Sequence, residues 1–188
     1  MTSIVLVRHG DTEWSVAGKH TGRTDVPLTA QGRDEAVRVG VALRPWRFAC
    51  VLTSPLSRAR DTCRLSGLGD HAQERDDLVE WDYGAYEGRT TDEIRRERPG
   101  WTLWADGVVG GESVEQVGVR ADRIVAEVRT VDGDSALFAH GHVLRVLAAR
   151  WLGLEPAAGA LLALDPATIS VLGYERERAV IRSWNAGC

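Results

Sequence analysis

Several residue types are scarce in this 188-residue chain, and each scarcity closes off a class of protein. There are only three cysteines, Cys50, Cys63 and Cys188, an odd count with no C-x-x-C spacing. That argues against a disulfide framework and against a zinc ribbon. They are read as two small buried hydrophobes and one terminal thiol. Lysine is nearly absent, since Lys19 is the sole lysine among 23 basic residues. There is no basic excess either: 27 acidic residues leave a net charge of −4, which argues against nucleic-acid and membrane-surface partners. No apolar stretch approaches the ~18 residues of a membrane span. The opening Met-Thr-Ser-Ile-Val-Leu-Val-Arg-His lacks the basic start and the long apolar run of a signal peptide. A cytoplasmic protein is expected.

What is present is ordinary for a globular domain. Hydrophobic residues make up 44% and charged residues 27%, which excludes a disordered chain and predicts one domain over 1–188. Three short apolar runs stop abruptly at polar turns. Ile4–Val7 ends at Arg8-His9-Gly10, Phe48–Leu52 at Thr53-Ser54-Pro55, and Ser135–Ala139 at His140-Gly141-His142. Unbroken runs of this length read as buried strands. Between them lie helical signals. Thr29 caps a stripe of Ala36, Val39 and Leu43 that stops before Pro45, and Ser113 caps a stripe from Val114 to Val128. Further helices are expected at Leu56 to about Leu65 and at Val143–Leu152. Residues 11–28 read as a long irregular loop and 77–80 as a short strand. Residues 81–112 read as a cap with one short helix near Thr91–Arg98, and residues 168–184 as a hairpin. This alternation predicts an α/β, three-layer α/β/α sandwich. Its central sheet is mostly parallel, with antiparallel strands at one side.

In open α/β sheets, ligands bind beyond the carboxyl ends of the strands. If the three apolar strands are parallel neighbours, Arg8, His9, Arg58 and His140 converge at one edge. Taken singly, each has a simpler role as a cap, a solvated arginine or a surface histidine; convergence is what raises their interest. Together they suit phosphoryl transfer. A neutral imidazole can attack phosphorus, and guanidinium groups match phosphate oxygens and stay charged. A carboxylic acid can protonate the leaving alkoxide. His140 and His142 form an H-x-H pair that could chelate zinc, but no further ligands are suitably spaced. No metal and no cofactor are expected.

The motifs Leu6-Val7-Arg8-His9-Gly10-Asp11-Thr12-Glu13, Thr21-Gly22, Ser54-Pro55-Leu56-Ser57-Arg58, Glu80-Trp81-Asp82-Tyr83-Gly84, Gly110-Gly111-Glu112-Ser113 and Ala139-His140-Gly141 occur in that order. The set resembles the histidine phosphatase superfamily, with its phosphoglycerate mutase-like fold. The resemblance implies that His9 is the nucleophile and becomes phosphohistidine. It implies that Arg8, Arg58 and His140 bind phosphoryl oxygens and that Glu80 is the proton donor. Ser15 and Thr21 would line the entrance, Ser15 standing where many members have Asn. Gly22 and Gly141 belong to the same motifs. Tyr83 and Trp104 could stack on a sugar, and Arg89 or Arg23 could hold a distal phosphate. Trp101 and Trp104 could equally be packing residues. His142 is read as a pocket-wall or helix-start residue. Glu13 and Glu112 stand open between positioning His9, binding substrate and serving as plain loop or helix carboxylates.

The same resemblance implies a metal-independent phosphomonoesterase of small phosphorylated metabolites, closest to a sedoheptulose-bisphosphatase-like branch. Sugar phosphates or bisphosphates lead as substrates. The alternatives are a phosphoglycerate mutase, disfavoured by the short chain, and a non-catalytic binding protein on the same fold. The latter would be expected to lack one of the five chemical positions. The expected state is monomer or homodimer.

Overall fold

The computed structural model describes residues 2–188. Six strands form one sheet in the order β3-β2-β4-β1-β5-β6. They are β1 (Ile4–Arg8), β2 (Phe48–Thr53), β3 (Ala72–Glu74), β4 (Asp134–Ala139), β5 (Ile169–Glu175) and β6 (Arg178–Ala186). The strands β1, β4, β2 and β3 run parallel, whereas β5 and β6 are antiparallel additions beside β1. Register decides where the site falls. Arg8 pairs with Ala139 and Thr53 with Phe138, so β1, β4 and β2 end at one level and their turns share one rim.

The layers follow from the alternation of side chains along each strand. Ile4, Leu6, Leu52, Leu137 and Ala139 face one side and pack against α6 (Val114–Arg129) and α7 (Gly141–Trp151). Val5, Val7, Val51, Ala136 and Phe138 face the other. There they meet Val39 and Leu43 of α2 (Ala30–Leu43) and Cys63 of α3 (Ser57–Leu65). Both faces are covered, which is why these strands are apolar throughout rather than alternating with polar residues. Truncating a central residue such as Leu137 would cost about 2–5 kcal/mol. Cys63 lies in this core, where burial pushes its thiol pKa up to about 12.

The capping signals form as their chemistry requires. Thr29 Oγ1 accepts from Gly32 N at 3.0 Å, and Ser113 and Gln116 close a reciprocal capping box at the start of α6.

Three details differ from the sequence reading. The loop 11–28 contains a four-residue helix, α1 (Glu13–Val16), held by a capping box between Thr12 and Ser15. No strand forms at 77–80; a single turn occupies Asp76–Leu78, and the edge strand lies earlier, at β3. Its sequence Ala-Gln-Glu is too short and too polar to show an apolar pattern. Besides the expected short helix α4 (Thr91–Glu97), residues 81–112 hold a second, α5 (Leu103–Asp106). The aromatics of this segment, Trp81, Tyr83, Tyr86 and Trp101, are buried in the same core as α6 and α7. Among the described residues, no helix is long and apolar enough to cross a membrane.

Candidate active site

The turn after β1 sets the geometry of His9. Gly10 is pressed against the first turn of α2, and a Cβ there would lie 2.3 Å from Gly32 O. The His9 ring, only 5% exposed, places Nδ1 2.7 Å from the carbonyl of Gly10. A carbonyl can only accept, so Nδ1 carries the proton, and the Nε2 lone pair is left for the cavity that His9 lines. Burial, reinforced by the charges of Arg58 and Arg8, holds the ring's pKa well below 6.5. The result is a neutral, oriented imidazole.

Two arginines flank it and do different work. Arg8 projects from the end of β1, its Nη1 donating to Leu164 O and its guanidinium lying against Gly141. Its Nε is buried and has no partner within the protein. A buried, unpartnered donor on a cation is costly unless an anion completes it. Arg58, on α3, is fully buried, and four of its five N–H donors are engaged within the protein. Nη2 donates to Thr21 O (3.1 Å) and Gly22 O (2.8 Å), and Nη1 to Thr24 O (3.0 Å). Its Nε donates to Nδ1 of His140 at 3.1 Å. That bond fixes the His140 proton on Nε2, which donates to Ser54 Oγ at 2.8 Å. Burial and the Arg58 charge keep His140 neutral as well, and its ring centroid lies 5.1 Å from that of His9. Arg58 and His140 therefore stand behind the cavity wall, tying the loop 21–24 and the ends of β2 and β4 together beside His9.

Glu80 comes from outside these three strands. Helix α7 begins at His140 without a side-chain cap, leaving its first amides free. The Glu80 carboxylate fills that place. Oε2 accepts from His142 N at 3.0 Å, while Oε1 accepts from Val143 N and Trp81 N, both at 2.9 Å. The helix dipole favours an acidic group there. Oε1 is taken up by two amides, and Oε2 retains a lone pair.

The cavity, about 190 Å³, is floored by Arg8, His9 and Glu80. Ser15, Thr21, Tyr83 and Gly141 also line it. The Ser15 hydroxyl is engaged in the α1 capping box, accepting from Thr12 N at 2.8 Å. Among the described residues on its wall, Glu80 is the one carboxylate. Sequence reasoning missed Lys19, His20 and Arg145, which join His142 on the rim. Arg145 was detectable in principle: it sits four residues after Gly141, one helical turn along the same face. Its Nε and Nη2 donate to Gly159 O and Ala160 O, and its guanidinium lies 4.7 Å from the Trp104 ring centroid. The phenol of Tyr83 is 2.6 Å from His142 Nδ1. Burial keeps Tyr83 well above pKa 10 and His142 well below 6.5, so this pair is uncharged.

Several expected placements are corrected. Arg89 lies outside the cavity, drawn away to Glu97 at 2.6 Å. Arg23 is turned outward toward Asp82 and Glu112. Trp104 supports Arg145 and His142 from behind, and Trp101 is buried packing. Gly22 is also behind the wall, its amide on Glu87 and its carbonyl on Arg58. His142 is both a wall residue and a residue of the first turn of α7. Glu13 is exposed, and Glu112 is bound by Arg120 rather than by His9. Among the described residues, no three His, Cys, Asp or Glu side chains are grouped to hold a metal ion.

Residues 4–187 match the family model described as histidine phosphatase superfamily (branch 1). A protein of Mycobacterium tuberculosis named acid phosphatase is 41% identical over 185 residues, covering 95% of this chain and 91% of its own. The sedoheptulose 1,7-bisphosphatase of Saccharomyces cerevisiae is 39% identical over 183 residues, covering 80% of this chain and 67% of its own. Among solved structures, an open-reading-frame product of Mycobacterium tuberculosis superposes with a TM-score of 0.94 at 38% identity. That match spans 99% of this chain and 98% of the other.

Proposed function

The chain belongs to the histidine phosphatase superfamily, and from that premise we propose that it hydrolyses small phosphorylated metabolites through a phosphohistidine at His9, without a metal. The observation that carries the reading is the pairing of a neutral His9, its Nε2 free toward the cavity, with an unpartnered buried donor on Arg8. A phosphate monoester satisfies both at once: its oxygens meet the guanidinium and its phosphorus meets the lone pair.

The steps follow from the geometry. The phosphoryl oxygens sit against Arg8, with the Arg58 charge behind them. Nε2 of His9 attacks phosphorus, and the P–O bond to the leaving group breaks with its electron pair going to the ester oxygen. Glu80 delivers the proton from Oε2, the oxygen with the spare lone pair, and an alcohol departs. Water then attacks the phosphohistidine and gives its proton to Glu80. The P–N bond breaks, its pair returns to Nε2, and inorganic phosphate leaves. Fixed cations around the transferring group supply most of the transition-state stabilisation. Residues 81–112 act as a cap that brings Tyr83 to the wall.

The finer reading is a sugar phosphate or bisphosphate. Lys19 and Arg145 support it, because a second acidic group beyond the reacting phosphate would meet them at the rim. Names among the relatives, acid phosphatase and sedoheptulose 1,7-bisphosphatase, favour hydrolysis over a mutase reaction. The test is phosphate release in EDTA from sugar mono- and bisphosphates, phosphoglycerates and p-nitrophenyl phosphate. Preferential release from a sugar bisphosphate is the expected outcome. Release from the aryl ester alone removes the sugar reading, and no release from any ester removes the phosphatase reading.

A further inference from the structure

Glu80 is held at its carboxylate by α7, but its main chain is held by a different device. Arg120, in the middle of α6, is 5% exposed. Its Nη1 donates to the carbonyls of Asp77 (2.8 Å) and Val79 (2.5 Å), the latter being the residue immediately before Glu80. Its Nε and Nη2 grip Glu112 in a fork, at 2.9 Å to Oε1 and 3.1 Å to Oε2. Glu112 in turn binds the residues immediately after Glu80. Its Oε2 accepts from Asp82 N at 3.0 Å, its carbonyl accepts from the Trp81 indole at 2.8 Å, and its own amide donates to Asp82 O at 3.0 Å. The chain is thus pinned on both sides of Glu80 by one ion pair, between the buried Arg120 and the half-buried Glu112. Neither member of the pair hydrogen-bonds to Arg8, His9, Arg58 or His140, or lines the cavity.

A buried ion pair is weak evidence for net stability, because desolvation offsets much of the Coulombic gain. A pair of apolar residues would fill the same space. What apolar residues cannot do is donate to two carbonyls on one side of Glu80 and accept an amide on the other. We propose that Arg120 and Glu112 are a positioning pair for the general acid, fixing the Glu80 main chain so that its carboxyl meets the leaving-group oxygen. The inference rests on Glu80 being that acid. It separates the acid from the nucleophile, because His9 is set by β1 and the Gly10 turn, whereas Glu80 is set by α6 and α7.

The separation makes the pair testable. Proton donation matters most when the departing alkoxide is a poor leaving group, and small misplacements of a reacting group are costly. The measurement is kcat/KM, which reports the step up to phosphohistidine formation. It is made on esters graded in leaving-group acidity from p-nitrophenyl phosphate to an alkyl phosphate. Arg120→Met and Glu112→Gln should each lose ~10-fold more on the alkyl ester than on the aryl ester, and Glu80→Gln still more. Glu112→Gln keeps the side-chain shape and carries the test if Arg120→Met does not fold, with melting temperature recorded for each. An equal loss on all esters, or no loss, from the Arg120 and Glu112 variants beside a graded loss from Glu80→Gln overturns the positioning role and leaves the acid in place. An ungraded loss from Glu80→Gln itself removes the acid and the inference with it.

Discussion

The floor of the cavity and its rim are built in different ways. On the floor and directly behind it, His9, Glu80 and Arg58 are held by main-chain atoms: the Gly10 carbonyl, the first amides of α7, and three carbonyls of the loop 21–24. On the rim, His20, Tyr83 and His142 are held largely by each other and by aromatic rings, while Arg145 combines a ring contact with two carbonyls, Gly159 O and Ala160 O. The His20 and Tyr83 rings lie 4.9 Å apart, and the Trp104 ring lies 4.7 Å from the Arg145 guanidinium and 5.5 Å from the His142 ring. Main-chain anchors move only if a strand or helix moves. Side-chain anchors change with a single substitution. The difference implies that the chemistry is fixed by the fold and that substrate choice can be retuned without disturbing it.

The comparison breaks first at His9. His9→Ala should reduce phosphate release to background while leaving the circular dichroism spectrum and cooperative melting intact, because the residue serves the reaction more than the packing. Near-wild-type turnover would place the nucleophile elsewhere.

Arg58 should behave differently, since it joins the floor to the loop. Arg58→Met leaves three carbonyls and His140 Nδ1 without their donor. We expect a loss of about 3 kcal/mol in unfolding free energy together with at least ~100-fold in kcat. Chemical denaturation and steady-state rates on the same sample check this. Loss of rate with unchanged stability would show that the loop is held by other means.

The buried imidazoles give a pH signature. Burial lowers the His20 pKa to about 4, and His9, His140 and His142 are lowered as well. Their ordinary value of 6.5 returns in the unfolded chain. Between about 4 and 6.5 the unfolded state therefore binds more protons, so stability is complete above 6.5 and declines as pH falls through that window. His20 alone accounts for at most about 3 kcal/mol. Urea melts at pH 7, 6 and 5 should show the decline, and His20→Gln should make it shallower. Because folded His9 stays neutral, kcat/KM for p-nitrophenyl phosphate should show no acid limb at 6.5 while the protein remains folded.

The smallest effects belong to the rim and beyond. Arg145→Met should raise KM for a bisphosphate by ~10-fold and leave p-nitrophenyl phosphate nearly untouched, the size of one charge-assisted contact. Arg89→Ala should change neither, because its partner is Glu97 on the surface. Equal KM changes on both substrates with Arg145→Met would merge rim and floor and end the distinction.

Much of the floor was legible in the chain. Arg8 and His9, with His140 behind them, follow apolar runs, and such runs announce buried parallel strands whose ends lie together. Glu80 was legible only through its motif, because the short strand expected at 77–80 does not form and a turn at Asp76–Leu78 precedes it instead. The rim was mostly silent. Lys19 and His20 sit in a segment with no period, and Arg145 looks like any polar residue on an apolar helix. Arg89 misled because a cation near a motif attracts attention, while the carboxylate that neutralises it lies eight residues away.

By itself, the sequence determined the layers, the main parallel strands and the place of His9 at the end of β1. These depend on local signals: apolar runs, caps, turns and a short motif. Only the tertiary structure decided that Arg58 faces a loop and His140, that Glu80 caps α7, and that Arg120 and Glu112 grip the chain around Glu80. Those contacts join residues 8 to 82 positions apart. Such partners are chosen by strand order and register, which no local pattern encodes.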